Sequence, residues 1–464
     1  MTSVPEYLQE PPDAPPVLDP EHSDPSINTH GSHTLSPAAE QAAERGEEDA
    51  RSASDEGAQP PTCEEREIST RFGSRSTAEA QAGVGKEGSQ SENAKSSETR
   101  TARWSALGIL WDMSTLERVR KCGRVPVLPG GCVGVRKKVR KKSEAVGYAG
   151  LATCGSVWAC PRCSAKIMAV RRLELGALIA EAADQGLTVV FGTVTLRHRK
   201  GQSLAQLWDA LTKGQRGVTN ATKVKRIRQQ LGRVGYVRAT EVTYGGNGWH
   251  PHIHTLQLFE KGVTQDQLDE LRDAEFAVWK RQAVNRGLGA PMKKRYELRK
   301  VADANVQFSD YFAKGVYDPS VPRASKSVGF EMTGSMTKKG RKGSRSPWQV
   351  LEDFGQSGDL DDWDIWEQYE VASKGKRALV WSNGLKKMFG VGEKGDEEIA
   401  DEEVGDRDDT LFWVTDWSVI AGQSHLGGQL LGEVQRGGLA AGLAFCRQHG
   451  IPTAVGVPDD EDQG

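Results

Sequence analysis

Three histidines within five residues constrain this chain more than any other feature. Residues 241–254 read Glu-Val-Thr-Tyr-Gly-Gly-Asn-Gly-Trp-His-Pro-His-Ile-His, and only nine of the 464 residues are histidine. Glu241 to Tyr244 is β-branched and aromatic, as strands prefer. Gly245 to Gly248 is a turn signal, because Gly and Asn adopt positive φ at little cost. His250, His252 and His254 then alternate with Pro251 and Ile253, so in a strand the three imidazoles share one face. A two-residue loop at 245–246, 246–247 or 247–248 sets Glu241 opposite His250, His252 or His254 respectively. In each register a carboxylate and imidazoles face one side of a two-stranded ribbon. That donor set suits a divalent metal of mixed oxygen and nitrogen preference, such as Mn²⁺, Mg²⁺ or Zn²⁺.

Metal ligands alone do not make chemistry; a nucleophile is needed. Candidates lie in Asp310-Tyr311-Phe312-Ala313-Lys314-Gly315-Val316-Tyr317. On a helix Tyr311 and Lys314 sit three apart on one face and approach a common phosphate. A phenol with an ordinary pKa of about 10 is a poor nucleophile at neutral pH. A polarised phosphate and a nearby ammonium compensate by stabilising charge in the transition state. Tyr317 is the second tyrosine of the same segment.

Thr193-Val194-Thr195-Leu196, then the His-Pro-His-Ile-His run, then Tyr311-Phe312-Ala313-Lys314 resembles, in that order, the three motifs of the HUH endonucleases. The resemblance is narrower to the replication initiator (Rep) proteins of rolling-circle plasmids, and it covers residues 115–390. It implies that His252 and His254 hold a divalent metal, Mn²⁺ or Mg²⁺, with Glu241 or His250 completing the site. It also implies that Tyr311 cuts one DNA strand by transesterification, leaving a 5′-phosphotyrosyl enzyme and a free 3′-OH primer. Lys314 assists, and Tyr317 is the alternative or second nucleophile. Conjugative relaxases and transposases share this chemistry, but relaxases tend to place the tyrosine before the histidines. The competing class is a non-catalytic, zinc-dependent DNA-binding regulator in which the histidines serve structure.

Charge is segregated along the chain. Residues 1–100 hold 8 Lys+Arg against 20 Asp+Glu, and residues 346–464 hold 9 against 24. That leaves 44 against 19 for residues 101–345, a surplus of 25 positive charges in the middle. Such a segment has the electrostatic footprint of a nucleic-acid binder. The expected partners are therefore plasmid-origin DNA, single-stranded or as supercoiled duplex. No Gly-x-x-x-x-Gly-Lys-Ser/Thr loop occurs, so unwinding falls to a host helicase and synthesis to a host polymerase. There is no run of about 18 apolar residues and no apolar core behind basic residues at the N-terminus, which predicts a cytoplasmic protein without a membrane span.

The cysteines cluster too. Cys154-Gly-Ser-Val-Trp-Ala-Cys160-Pro-Arg-Cys163 carries a Cys-Pro-x-Cys knuckle that sets two thiolates on one Zn²⁺, with Cys154 as a third ligand. The fourth is Cys122, Cys132 or a histidine; Cys122 is the choice carried forward. The resemblance adds that actinobacterial-type plasmid initiators carry a similar cluster before the first motif.

These features predict an α+β chain with an antiparallel sheet and flanking helices, an HUH endonuclease-like core. Its expected divisions are a disordered acidic tail (1–100), a Cys-rich zinc-binding region (101–164), the nicking-joining domain (165–345), a family-like extension (346–392), and an acidic linker with a small appended unit (393–464). Ser164 is expected to cap a helix over 165–184, Ser203 one to Lys213, and Thr264 with Gln267 forms a capping box for a third. Leu187 to Arg197 is expected as a strand covered on both faces. Thr193 and Thr195 share one of its faces, and His198 is expected to point away from them. DNA contacts are assigned to Lys223, Lys225, Arg226 and Arg228 on the helix over 221–231. The Gly-rich loop carrying Lys338, Lys339, Arg341 and Lys342 is assigned the same role, and the Arg136–Lys142 run also suits phosphate.

Overall fold

The β-branched run after Leu187 becomes an inner strand of a five-stranded sheet that has helices packed on both faces. The structure is a computed structural model that describes residues 87–140, 143–260, 262–301 and 343–456. In chain order it holds α1 (Glu87–Met113), α2 (Glu117–Lys121), β1 (Val133–Arg140), β2 (Ser143–Ala149) and α3 (Pro161–Asp184). Next come β3 (Thr188–Thr195), α4 (Leu204–Asn220), α5 (Thr222–Gln230), β4 (Arg233–Gly245), β5 (Gly248–Phe259), α6 (Gln265–Val284) and β6 (Tyr296–Lys300). The last part holds α7 (Pro347–Ser357), α8 (Leu360–Ser373), β7 (Leu379–Trp381), α9 (Leu385–Met388), α10 (Asp396–Asp401), β8 (Thr410–Val414), α11 (Ser418–Gly422), α12 (His425–Gln448) and β9 (Thr453–Ala454).

Five strands form an antiparallel sheet in the order β6-β3-β5-β4-β7. Val189, Val190, Phe191 and Val194 of β3 are all buried, so its two faces are covered, each such side chain contributing about 1.5–3 kcal/mol. On one face α3 lays Leu175, Leu178, Ile179 and Ala182 against Val189, Phe191, Val237, Leu256 and Leu258. The opposite face, with Val190, Val194, Ile253 and Phe259, joins the larger core of α4, α6 and α8, including Leu207, Trp208, Leu271, Trp279 and Trp366.

A second antiparallel sheet has the order β2-β1-β8-β9. The Arg136–Lys142 run does not form a free loop, since residues up to Arg140 lie in β1. Arg136 pairs with Glu403 at 2.9 Å, Lys137 with Glu144 at 3.0 Å, and Lys138 with Asp406 at 3.1 Å. Residues 393–464, expected as a linker and an appended unit, supply β8 to the Cys-rich region's hairpin through pairs such as Val133↔Val414. Ile399 of α10 is fully buried. Helix α1 begins at Glu87, inside the stretch assigned to the acidic tail.

Helix starts follow local chemistry, with one change. Ser203 and Thr264 cap α4 and α6 as expected, the latter through a capping box with Gln267. The cap of α3 is Cys160 rather than Ser164: its sulfur accepts from Cys163 N, and Pro161 occupies the first turn. Helix α4 continues past Lys213 to Asn220 because Gly214 is a point of close packing, not a stop. A Cβ there would lie 2.7 Å from the Trp279 ring. No helix among the described residues is long and apolar enough to cross a membrane.

Candidate functional site

The β4–β5 hairpin fixes the register that the sequence left open. Gly245 pairs with Gly248, so the loop is Gly246-Asn247 and Glu241 sits opposite His252. Gly248 has φ +79°, a conformation that favours glycine at this turn. Ala239 pairs with His254 and, on the other side of β5, Thr193 pairs with His254. Residues directly opposite in a ladder share a face, so Glu241, His252, His254 and Thr193 project together. This is the face that α3 covers further along the strands.

The three side chains meet at one point. Glu241 Oε2 lies 3.3 Å from His252 Nε2 and 3.2 Å from His254 Nε2. These ligand atoms all fall within 4.8 Å of one another, and the three residues are half-buried. The far nitrogens are held as well. His252 Nδ1 donates to the His250 carbonyl at 3.4 Å, and His254 Nδ1 is 3.3 Å from Thr193 Oγ1. A carbonyl only accepts, so Nδ1 of His252 is a donor here, and its Nε2 is turned towards Glu241. The His254 ring stacks on Phe191, with centroids 5.2 Å apart. Two imidazole Nε2 atoms, a carboxylate oxygen and anchored outer nitrogens form an open three-ligand set, and the residues fit a divalent metal.

His250 is not part of that set. Its Nδ1 is 2.7 Å from Nε2 of His198, whose own Nδ1 donates to the Asn247 carbonyl at 3.2 Å. Burial, with the His252 and His198 rings beside it, pushes His250 down to about 3, so it stays neutral. The expectation that His198 points away assumed that strand parity continues. Strand β3 ends at Thr195, so its alternation no longer fixes the direction of His198.

The cysteine cluster also assembles. Cys122, Cys154, Cys160 and Cys163 are all buried, with Sγ atoms within 4.8 Å of one another. The separations are 3.5 Å for Cys122–Cys163, 3.6 Å for Cys122–Cys160 and 3.7 Å for Cys154–Cys163. A tetrahedron with Zn–S of about 2.3 Å has edges of about 3.8 Å, so this set fits a structural Zn²⁺. Backbone N–H groups of Cys163 and Ser156 donate to Cys160 and Cys154 sulfurs at 3.4 and 3.5 Å. Cys132 lies outside the cluster and is half-buried.

The DNA assignments divide. Lys223, Lys225 and Arg226 are exposed on α5. Arg228 is not on that surface: α5 turns it inward with Val224 and Ile227. It donates to Glu275 Oε1 at 2.6 Å, and Tyr296 Oη donates to Glu275 Oε2 at 2.9 Å. Helical periodicity puts every third or fourth residue inside, and a buried carboxylate partner makes an arginine acceptable there. Tyr311, Lys314, Tyr317, Lys338, Lys339, Arg341 and Lys342 lie outside the described residues.

Known proteins similar to this chain are replication proteins and one resistance protein. Residues 150–285 match a family model described as a replication protein, a stretch that takes in three of the four cysteines and the Glu241–His252–His254 set. The chain is similar to Protein rep of Streptomyces lividans, 30% identical over 315 residues, 54% of this chain and 66% of that one. It is also similar to the neomycin resistance protein of Streptomyces cyanogenus, 35% identical over 148 residues, 26% of this chain and 34% of that one. Protein rep of Lentilactobacillus hilgardii is 29% identical over 126 residues, 26% of this chain and 38% of that one. The chain thus spans just under two thirds of the first relative's length and little more than a third of the other two. No solved structure matches.

Proposed function

The chain belongs to the Rep family of rolling-circle plasmid replication initiators, and on that premise we propose that it starts replication by nicking one strand of its plasmid origin in a metal-dependent, tyrosine-mediated transesterification. The observation that carries this reading is the convergence of His252 Nε2 and His254 Nε2 on Glu241 Oε2, at 3.3 and 3.2 Å. Bound there, Mn²⁺ or Mg²⁺ supplies positive charge that polarises the scissile phosphate.

Each residue then has a task. Glu241, His252 and His254 hold the ion. Thr193 and the His250 carbonyl keep the two imidazoles turned with Nε2 inward. Tyr311 attacks phosphorus through its phenolic oxygen. The new bond is O–P, the bond broken is P–O3′, and the proton that the phenol releases to solvent is matched by one that the departing 3′ oxygen takes up from solvent. Lys314 stabilises charge on the phosphate. Because the phosphodiester energy is kept in the phosphotyrosyl bond, no ATP is needed. A host polymerase extends the 3′-OH behind a host helicase. A second transfer, through Tyr317 or water, releases the displaced strand. Cys122, Cys154, Cys160 and Cys163 hold a structural Zn²⁺.

The test mixes the purified full chain, Mn²⁺ and a supercoiled plasmid or single strand carrying the plasmid's origin. A nick with a denaturant-resistant protein–DNA band, lost in Tyr311→Phe and His252→Ala, supports the reading. Loss only in Tyr317→Phe moves the nucleophile and keeps the reaction. Origin binding without an adduct in any divalent metal sinks the enzyme and leaves a zinc-stabilised DNA-binding protein, which the four-cysteine cluster also fits.

A further inference from the structure

The face of the five-stranded sheet turned away from the Glu241–His252–His254 set carries cations of its own. Residues alternate along β4, so Tyr236 and Arg238 project opposite to Ala239 and Glu241. Arg238 pairs across the ladder with Thr255, not with a ligand position. Arg233 stacks over the Tyr236 ring at 5.1 Å. The groups acting on the Arg238 charge besides burial are Tyr236 and Arg216, with no carboxylate among them. Burial and then the Arg228 guanidinium lower Arg233 to about 10, against a weaker opposing pull from the Glu275 carboxylate, which is itself paired with Arg228. Beside this strip, α5 exposes Lys223, Lys225 and Arg226. Among the described residues, none of these six cations has a carboxylate partner within ion-pair distance. Elsewhere the protein does neutralise its basic surface, as the Arg136–Glu403 and Lys138–Asp406 pairs show. Half-buried guanidiniums without a carboxylate in direct contact are costly in the free protein, and a polyanion lowers that cost.

We propose that α5 with Arg216, Arg233 and Arg238 forms a second DNA-contact surface, on the sheet face opposite the metal set, which holds the backbone of duplex DNA flanking the nick. This rests on the nicking reading for the identity of the substrate. Nucleotides bound at the metal set cannot also reach the far face of a sheet with helices packed on it, so this surface takes a different stretch of the same DNA. The surface chemistry selects duplex over single strand. Single-strand binders stack bases on exposed aromatic rings. Here the one aromatic in the strip, Tyr236, is covered by Arg233, and α5 carries none. Duplex backbone needs only cations. A protein partner is disfavoured because none of the exposed large apolar residues lies between Leu173 and Val284.

The experiment measures affinity against salt for the full chain on a labelled random-sequence duplex and on a single strand of equal length. Wild type is compared with the Lys223→Ala, Lys225→Ala, Arg226→Ala triple variant and with Arg216→Glu. These positions are exposed, and thermal melts confirm folding. The slope of log K against log salt on duplex falls by about 3 for the triple variant, close to 0.9 for each phosphate that is no longer neutralised. On the single strand it changes by less than about 1. Arg216→Glu lowers the duplex slope by at least about 1. Unchanged duplex slopes in both variants overturn the surface. Equal decreases on duplex and single strand overturn the assignment to duplex. Failure of wild type to form a covalent adduct would remove the nicking reading instead, and the salt slopes would still stand or fall by themselves.

Discussion

The two donor clusters differ in what they leave open. Cys122, Cys154, Cys160 and Cys163 are at most 5% exposed and offer four thiolates at tetrahedral spacing. A Zn²⁺ there has no vacant position and no route for a substrate, which is how structural sites are built. Glu241, His252 and His254, whose side chains are 11–13% exposed, offer only three ligand atoms, so a bound ion keeps positions for a phosphate oxygen. The backbone differs in parallel. A knuckle wraps sulfurs around an ion through a turn and a helix start, whereas alternate strand positions present imidazoles in a row. The clusters are also linked in one direction. Helix α3 starts in the cysteine knuckle and ends packed on the strands that carry the histidines. Damage at the cysteines should therefore spread to the sheet, and damage at the histidines should stay local.

That asymmetry is testable, beginning with its larger arm. Cys160→Ser removes a thiolate ligand but leaves a hydroxyl that can still cap α3, so its effect reports the loss of the metal ligand. The expected cost is at least about 5 kcal/mol, below the roughly 10–16 kcal/mol that structural zinc supplies to small fingers. Zinc content by chelator assay should drop, and the melting temperature should fall sharply. A variant that melts with wild type would show that the cysteines do not close a structural site. His252→Ala is the local arm. Loss of one ligand should lower the adduct-forming rate at least about 100-fold, since metal charge contributes several kcal/mol to the transition state. Its melt should move by only a few degrees. A collapse of the melt comparable to that of Cys160→Ser would erase the distinction between the clusters.

Legibility followed the range of the interactions involved. The histidine ribbon, the strand at 188–195 and the caps at Ser203 and Thr264 are set by neighbours a few residues away, and their sequence signals suffice. The choice among three hairpin registers was not local. Three adjacent glycine- or asparagine-containing pairs could each form the loop, and only the observed Gly245–Gly248 pairing selects one. Arg228 was misassigned because its partners, Glu275 and Tyr296, lie in α6 and β6. A charged residue reads as exposed until a buried carboxylate is known to meet it. His198 failed for a similar reason, as parity holds only while the strand lasts. The pairing of β1 with β8 joins residues some 280 positions apart, and no local pattern announces such a pairing. Neither tyrosine of the 310–317 segment is among the described residues, so the nucleophile still rests on the motif.

The smallest effect probes how the open site is held in shape. Thr193→Val keeps the size and strand preference of the side chain and deletes only Oγ1, which lies 3.3 Å from His254 Nδ1. Strand pairing and burial should survive, so stability changes by less than about 1 kcal/mol, whereas losing an outer-nitrogen partner weakens metal binding by about 10–100-fold. Thr195→Val is the matched control. It removes a hydroxyl from the same face, but that hydroxyl donates to the Arg295 carbonyl at 3.5 Å rather than to an imidazole. Mn²⁺ titrations of the two variants isolate the contribution of the Thr193 hydroxyl. A larger loss in Thr193→Val means that the open site is pre-organised through His254, as the closed site is by backbone N–H groups on its sulfurs. Equal losses would assign the effect to the strand, and the imidazole would be oriented by its stack on Phe191 instead.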